Sequence, residues 1–216
     1  MAPGIRAVRD HLRPFLLIQV CVLLVALAYY RWPQFAEFAS GLGSIKRSGG
    51  LLFSFVATAF AGVILPELFK AVSKDPRRLG ASEIAYNFMI FGANGIVVDL
   101  LYQGLGLILG QAPSVPIVAA KVAIDQALAA PFFFTPYFLF MILWRKSGFN
   151  WGRFRTGLQS NPFVGQIWPI QIVSWAYWIP ALVGIYAMPG DLQFMLFLFV
   201  EAAWSLILLH VAKRHA

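Results

Sequence analysis

The sequence predicts an all-α membrane protein, a polytopic six-span helical bundle, and three observations predict it. Of 216 residues, 60% are hydrophobic, against roughly 45–50% in a soluble domain. Only 12% are charged, about half of what a solvated surface supplies. Apolar residues gather in six stretches, each long enough to cross a bilayer core about 30 Å thick. These figures exclude a water-soluble monomeric globule and a disordered chain. Runs such as Leu192 to Val200 are apolar on every side, so helices rather than the alternating strands of a barrel are the spanning element. The stretches leave only short connections, and residues 1–216 read as one transmembrane domain.

The first span is placed at Pro14–Trp32. Arg6, Arg9 and Arg13 before it, with Ala26-Leu27-Ala28 near its end, mimic a secretory signal and cleavage site, and cleavage would leave five spans. Tyr29, Tyr30, Arg31 and Trp32 form the aromatic and basic cluster of a helix end anchored at an interface, which favours the uncleaved reading. The second span is placed at Gly49–Val72 and precedes the basic loop Lys74-Asp75-Pro76-Arg77-Arg78. That loop suits anionic headgroups or a phosphorylated solute, although a plain topogenic role already accounts for it.

The third span, Ile84–Gly110, gathers Gly92, Asp99, Gln103, Gly106 and Gly110 on one face at about 100° per residue. Its Gly106 and Gly110 form a G-x-x-x-G packing pair. Pro131 and Pro136 predict a kink in the fourth span, Val115–Trp144, because each removes a helix hydrogen bond. Between the fourth and fifth spans, Trp151, Phe154 and Leu158 share a helical face beside Arg153 and Arg155, as in a helix lying on the membrane surface. The fifth span, Pro162–Met188, is also expected to bend, at Pro169 and Pro180, and aligns Gln171, Ser174, Trp175 and Trp178 on one face. The sixth, Leu192–Val211, aligns Glu201 with Ser205.

Six crossings put both termini on one side. Of the 17 Lys and Arg residues, Arg31, Lys46 and Arg47 fall on the other side, Lys121 lies within a span, and all the rest share the side of the termini. This bias places both termini in the cytoplasm or its organellar equivalent, in a bacterial-type inner membrane or an organellar membrane. The same sorting explains the net charge of +8 without a nucleic-acid partner. The single cysteine, Cys21, makes no intrachain disulfide and leaves the redox compartment open.

Charges at membrane depth are functional candidates by default. At a 1.5 Å rise per residue, Asp99, Asp125 and Glu201 lie about 14–16 Å from one end of their spans. Lys121 lies about 9 Å in and reaches toward Asp125, one turn along the same helix. The four are expected to share an interior, with Gln103, Gln126, Gln171, Ser174, Trp175 and Ser205 completing a polar, aromatic-edged path. The alternative is interhelical glue, with Lys121 and Asp125 neutralising each other. His11, His210 and His215 lack metal-ligand spacing, and no nucleophile elbow, H-E-x-x-H or Walker A sequence occurs, so neither an enzyme, a metal nor a cofactor is expected.

The second half resembles the Mpv-seventeen and peroxisomal membrane protein family. Lys121, Asp125, Gln126 and Pro131 are similar to its basic residue, Asp-Gln and proline in one span. Asn150-Trp151, Trp168-Pro169, Gln171, Ser174-Trp175 and Ile179-Pro180 resemble its next motifs in order, and Trp204-Ser205 resembles the tryptophan near its C-terminal end. Gln171 comes one residue early, and Ser174 stands in place of an amide. Asp99 falls between Gly95 and Tyr102 where members tend to carry His, and Val63 where Asp is usual. The resemblance implies a pore or channel for small solutes, linked to metabolite and redox homeostasis, with no established enzymatic activity.

The expected function is therefore a small-solute channel in which Asp99, Asp125 and Glu201 set cation preference or proton coupling and Lys121 balances them. The expected partners are membrane lipids and small solutes or ions, with self-association left open. A non-transporting structural or lipid-organising protein is the alternative, and an intramembrane enzyme the third reading.

Overall fold

A computed structural model describes the backbone of residues 12–160 and 163–214 and the side chains of residues 15–159 and 167–206. Arg6, Arg9, His11 and His215, and the side chains of Arg13 and His210, lie outside those residues. The described chain is all-helical. Its helices are α1 (Leu12–Arg31), α2 (Pro33–Val72), α3 (Ala81–Leu109), α4 (Val115–Lys146), α5 (Trp151–Ser160), α6 (Phe163–Ala187) and α7 (Gly190–Arg214). Among the described residues four stretches are long and apolar enough to cross a membrane: Pro33–Val72, Ala81–Leu109, Val115–Lys146 and Ile167–Ala187. Phe15–Arg31 is apolar but shorter. The expected last span, Leu192–Val211, lies on α7 and runs into residues whose side chains are not described.

The clearest departure from expectation lies ahead of Gly49, where the sequence reads as a loop. Helix α2 already begins at Pro33, whose fixed φ suits the first helical turn. Its buried Ala39 and Gly43 explain the order, because a Cβ on Gly43 would stand 3.2 Å from Cβ of Asp191 on α7. At Gly50 the backbone turns to φ 52, ψ −141, a conformation open to glycine at little steric cost. The expected second span starts at that break.

Two wide, π-type turns interrupt the long helices. Phe60–Ile64 precedes Pro66 in α2, and Asp125–Phe134 contains Pro131 in α4. A proline ring cannot sit against the carbonyl four residues back, and a widened turn relieves that clash. The irregularity expected of the fourth span is thus a π segment that begins at Asp125. Pro169 and Pro180 lie within an uninterrupted α6.

Helices α2 and α3 make the most extensive packing. A Cβ on Gly95 would fall 2.3 Å from Oγ1 of Thr58 and 2.5 Å from the carbonyl oxygen of Ser54, so only glycine lets the two backbones approach this closely. The expected G-x-x-x-G pair packs otherwise. Gly106 holds the Gln111 side chain, and Gly110 ends the helix at φ 94. Helix α7 packs on α1, α2, α3 and α6, and α1 lies chiefly against α6. The core gathers Tyr177, Leu182, Tyr186, Phe194, Phe197 and Val200. Helix α5 forms where an amphipathic segment is expected; it buries Phe154 against Phe140 and Trp144 and leaves Trp151 exposed.

Burial is inverted relative to a soluble protein. Asp99, Lys121, Gln171 and Gln193 are at most 1% exposed, while Val72, Leu107, Ile108, Val115 and Phe132 are 74–86% exposed. Water outside would favour the opposite sorting.

Candidate functional site

Between the α3/α7 wall and the α4/α6 wall runs a cavity of about 740 Å³. One end is bordered by Tyr86 and Asn87 from the first turns of α3 and by Arg145 and Lys146 from the last turn of α4. Arg145 is ion-paired with Glu83, whose other oxygen accepts a hydrogen bond from the Gly80 N–H at the start of α3. Two tyrosines tie the walls together. The Tyr86 hydroxyl donates to the Met141 carbonyl at 2.8 Å, and the Tyr137 hydroxyl to the Ile90 carbonyl at 2.9 Å.

The same cavity is lined by Asp125 and Glu201, with Asn94, Gln126 and Tyr102. Asp125 Oδ2 accepts from the Tyr186 hydroxyl at 2.6 Å, and Oδ1 from Gln126 Nε2 at 2.8 Å. The π turn puts Asp125 and Gln126 side by side in this lining, and the Gln126 carbonyl accepts from Trp175 Nε1 at 2.9 Å. Glu201 is 6% exposed and makes no hydrogen bond or ion pair among the described residues. Two further buried oxygens, Asn94 Oδ1 and Gln126 Oε1, are also without partners.

A second, smaller pocket of about 300 Å³ lies toward the other ends of the same helices. Lys46, Gly50, Asp99, Gln103, Gln111 and Asp191 border it. Asp99 is held by Lys46 Nζ at 2.7 Å, by the Ser54 hydroxyl at 2.6 Å and by Gln103 Nε2 at 2.9 Å. Arg47 pairs with Asp191, so two adjacent cations fasten the first half of α2 to α3 and α7.

Tyr102 borders both spaces. Its ring lies 5.0 Å from that of Tyr186 and 6.1 Å from that of Phe197. Phe194, 5.4 Å from Phe197, faces the smaller pocket, and Phe197 faces the larger. Along α7 the lining residues run from Ser205 to Phe197 for the larger space and from Phe194 to Gly190 for the smaller, while along α3 the two sets, Tyr86 to Tyr102 and Asp99 to Gln103, overlap at Tyr102. The two spaces therefore share Tyr102, around which the rings of Tyr186 and Phe197 are packed.

The expected single charged interior is divided between the two spaces. Asp125 and Glu201 line the large cavity with Gln126, Ser174, Trp204 and Ser205, whereas Asp99 and Gln103 belong to the smaller pocket. Lys121 does not pair with Asp125, whose oxygens are taken by Tyr186 and Gln126. Its ammonium lies 5.8 Å from the centre of the Tyr186 ring, and it borders neither space. Gln171 is fully buried and accepts from the Thr135 hydroxyl at 2.8 Å behind the cavity wall. Trp168 is half-exposed and packs at 6.3 Å on Trp175. Asn150 accepts from the Arg153 N–H at the start of α5, an N-cap role.

Sequence reasoning missed Lys46, Tyr102 and Tyr186. Tyr102 stands three residues after Asp99, one helical turn away, and that spacing was the available signal. In the basic loop, buried Asp75 accepts from the Arg77 backbone N–H at 3.0 Å and from its guanidinium at 3.0 and 3.1 Å. That hydrogen bonding raises the Arg77 pKa above its ordinary value. Among the described residues no cluster of three or more His, Cys, Asp or Glu side chains is arranged to hold a metal. Comparison with protein-family models, with curated proteins and with solved structures finds no match to this chain.

Proposed function

We propose that the protein is an integral membrane passage for small solutes, closed at Tyr102 in the conformation described. The observation that carries this reading is the pair of spaces, about 740 and 300 Å³, that hold buried polar side chains and share Tyr102 in their walls. A scaffold needs buried polar side chains only to join helices; it has no use for cavities that leave such side chains unpartnered. The inverted burial supports a lipid surround, and the resemblance of the second half to the Mpv-seventeen family carries the same implication of a pore. The bias of basic residues puts the termini and the Arg145 end of the large cavity on the cytoplasmic side. Asp125 and Glu201 then face solutes arriving from that side and favour cations, while the Lys46–Asp99 pair closes the opposite space.

The test is flux through purified protein in liposomes. The parent protein should move small cations above the rate of empty liposomes. Glu201→Gln, which keeps shape and loses charge, should stay folded in detergent and lower cation over anion selectivity. Rates equal to those of empty liposomes would leave the structural, lipid-organising reading in its place.

A further inference from the structure

The large cavity has a chemical polarity that a water-filled path does not require. The two fully buried polar side-chain atoms in it that lack a hydrogen-bond partner are both acceptors. These are Asn94 Oδ1 and Gln126 Oε1, and among the described residues the Glu201 carboxyl has neither a hydrogen bond nor an ion pair. The residues that carry them are 5%, 7% and 6% exposed. Asp125 adds a second carboxyl whose present donors, Tyr186 and Gln126, are both neutral. Lys121, the nearest cation along the chain, does not border the space. An occupant that satisfies these acceptors supplies donors, and one that balances carboxylates supplies positive charge.

The remaining lining fixes the rest of the occupant. Phe91, Phe134, Phe138, Trp178, Phe197 and Trp204 border the same cavity. Aromatic faces hold apolar groups and attract cations through their quadrupoles. A volume of about 740 Å³ falls in the range of sites that enclose whole small molecules, roughly 300–1,000 Å³. Metal ions and bare inorganic cations would leave this aromatic wall unused. Of the two cations that border the cavity, Arg145 is already paired with Glu83, which leaves Lys146 as the one without an ion pair among the described residues.

We infer that the cavity is a binding site for amphipathic organic amines, with a protonated amine seated among Glu201, Asp125, Asn94 and Gln126 and an apolar or aromatic body against the ring-lined walls. The inference deepens the passage reading by naming the solute class for its large cavity, and it rests on that reading for direction of travel but not for binding.

Three probes that share a body separate the contributions: dansylcadaverine, which carries a primary amine, and the dansyl alcohol and dansyl carboxylate of matched chain length. Binding to purified protein in detergent is followed by dansyl emission. The parent should bind the amine about tenfold more tightly than the alcohol and more weakly still the carboxylate. Glu201→Gln should remove about tenfold of the amine's affinity and leave the alcohol's within about twofold. Asn94→Leu, which deletes one acceptor and no charge, should weaken both amine and alcohol. Equal affinity for all three heads, or preference for the carboxylate, in the parent protein would overturn the inference, and that comparison needs no variant to fold. Binding is read without flux: lost head-group discrimination refutes the ligand class alone, whereas absent flux with discrimination intact supports this site and refutes the passage.

Discussion

Lys46 is the residue whose role differs most from its appearance in the sequence. It stands in a Gly- and Ser-rich segment that reads as an exposed connection, yet its side chain is 11% exposed and bonded to an aspartate that is almost fully buried. A pairing between residues 53 positions apart leaves no periodic trace, which is why depth along the spans pointed to Lys121 instead. Removing one member of a buried pair strands the other. Lys46→Met should therefore lower stability by about 3 kcal/mol, and adding Asp99→Leu should restore part of that loss, as measured by thermal unfolding in detergent. A double variant less stable than Lys46→Met would show that Ser54 and Gln103 alone can hold Asp99. Tyr186→Phe deletes the 2.6 Å hydrogen bond to Asp125 and should cost about 2 kcal/mol, the usual range for a bond to a charged acceptor. The buried acids were legible because charge in an apolar run is conspicuous. Their partners were not, because a tyrosine in such a run looks like any other core residue.

At the scale of the element, helices were legible from apolar run length, and their interruptions only in part. Pro131 signals a bend, but the π geometry of Asp125–Phe134 and its alignment of Asp125 with Gln126 depend on neighbouring helices. The segment before Gly49 was missed because its glycines argue for a loop, whereas contact with α7 overrides that propensity. Helix α3 offers a direct comparison of two glycine environments with α2. Gly95→Ala places a Cβ 2.5 Å from a backbone oxygen and should destabilise by about 2 kcal/mol by forcing α2 and α3 apart. Gly41→Ala meets nothing within 4 Å and should be neutral or stabilising by about 0.5 kcal/mol. Unfolding midpoints in one detergent check both, and a tolerated Gly95→Ala would mean that the α2/α3 approach is looser than described.

For the whole molecule, the apolar exterior was legible from composition, while the division into two spaces was not. Helical faces show which residues turn inward, but only three-dimensional packing sets Tyr102 in the walls of both cavities and Asp99 in the smaller alone. The proposed orientation rests on the distribution of Lys and Arg: reporters within Lys74–Arg78 and after Ala216 should read cytoplasmic, and reporters at Ser44 and Gln111 the opposite side. A C-terminal reporter on the outer side would refute the six-span arrangement.

The division at Tyr102 is tested most directly by the accessibility of single thiols in oriented vesicles. With Cys21, the only native cysteine, changed to serine, Ser174→Cys reports on the large cavity and Gln103→Cys on the small one. A membrane-impermeant thiol reagent should label the first from the cytoplasmic side alone and the second from the opposite side alone. Adding Tyr102→Ala should make both positions reactive from either side. Labelling of both positions from the same side in the parent background, or no change in sidedness with Tyr102→Ala, would contradict two spaces in series closed by that ring.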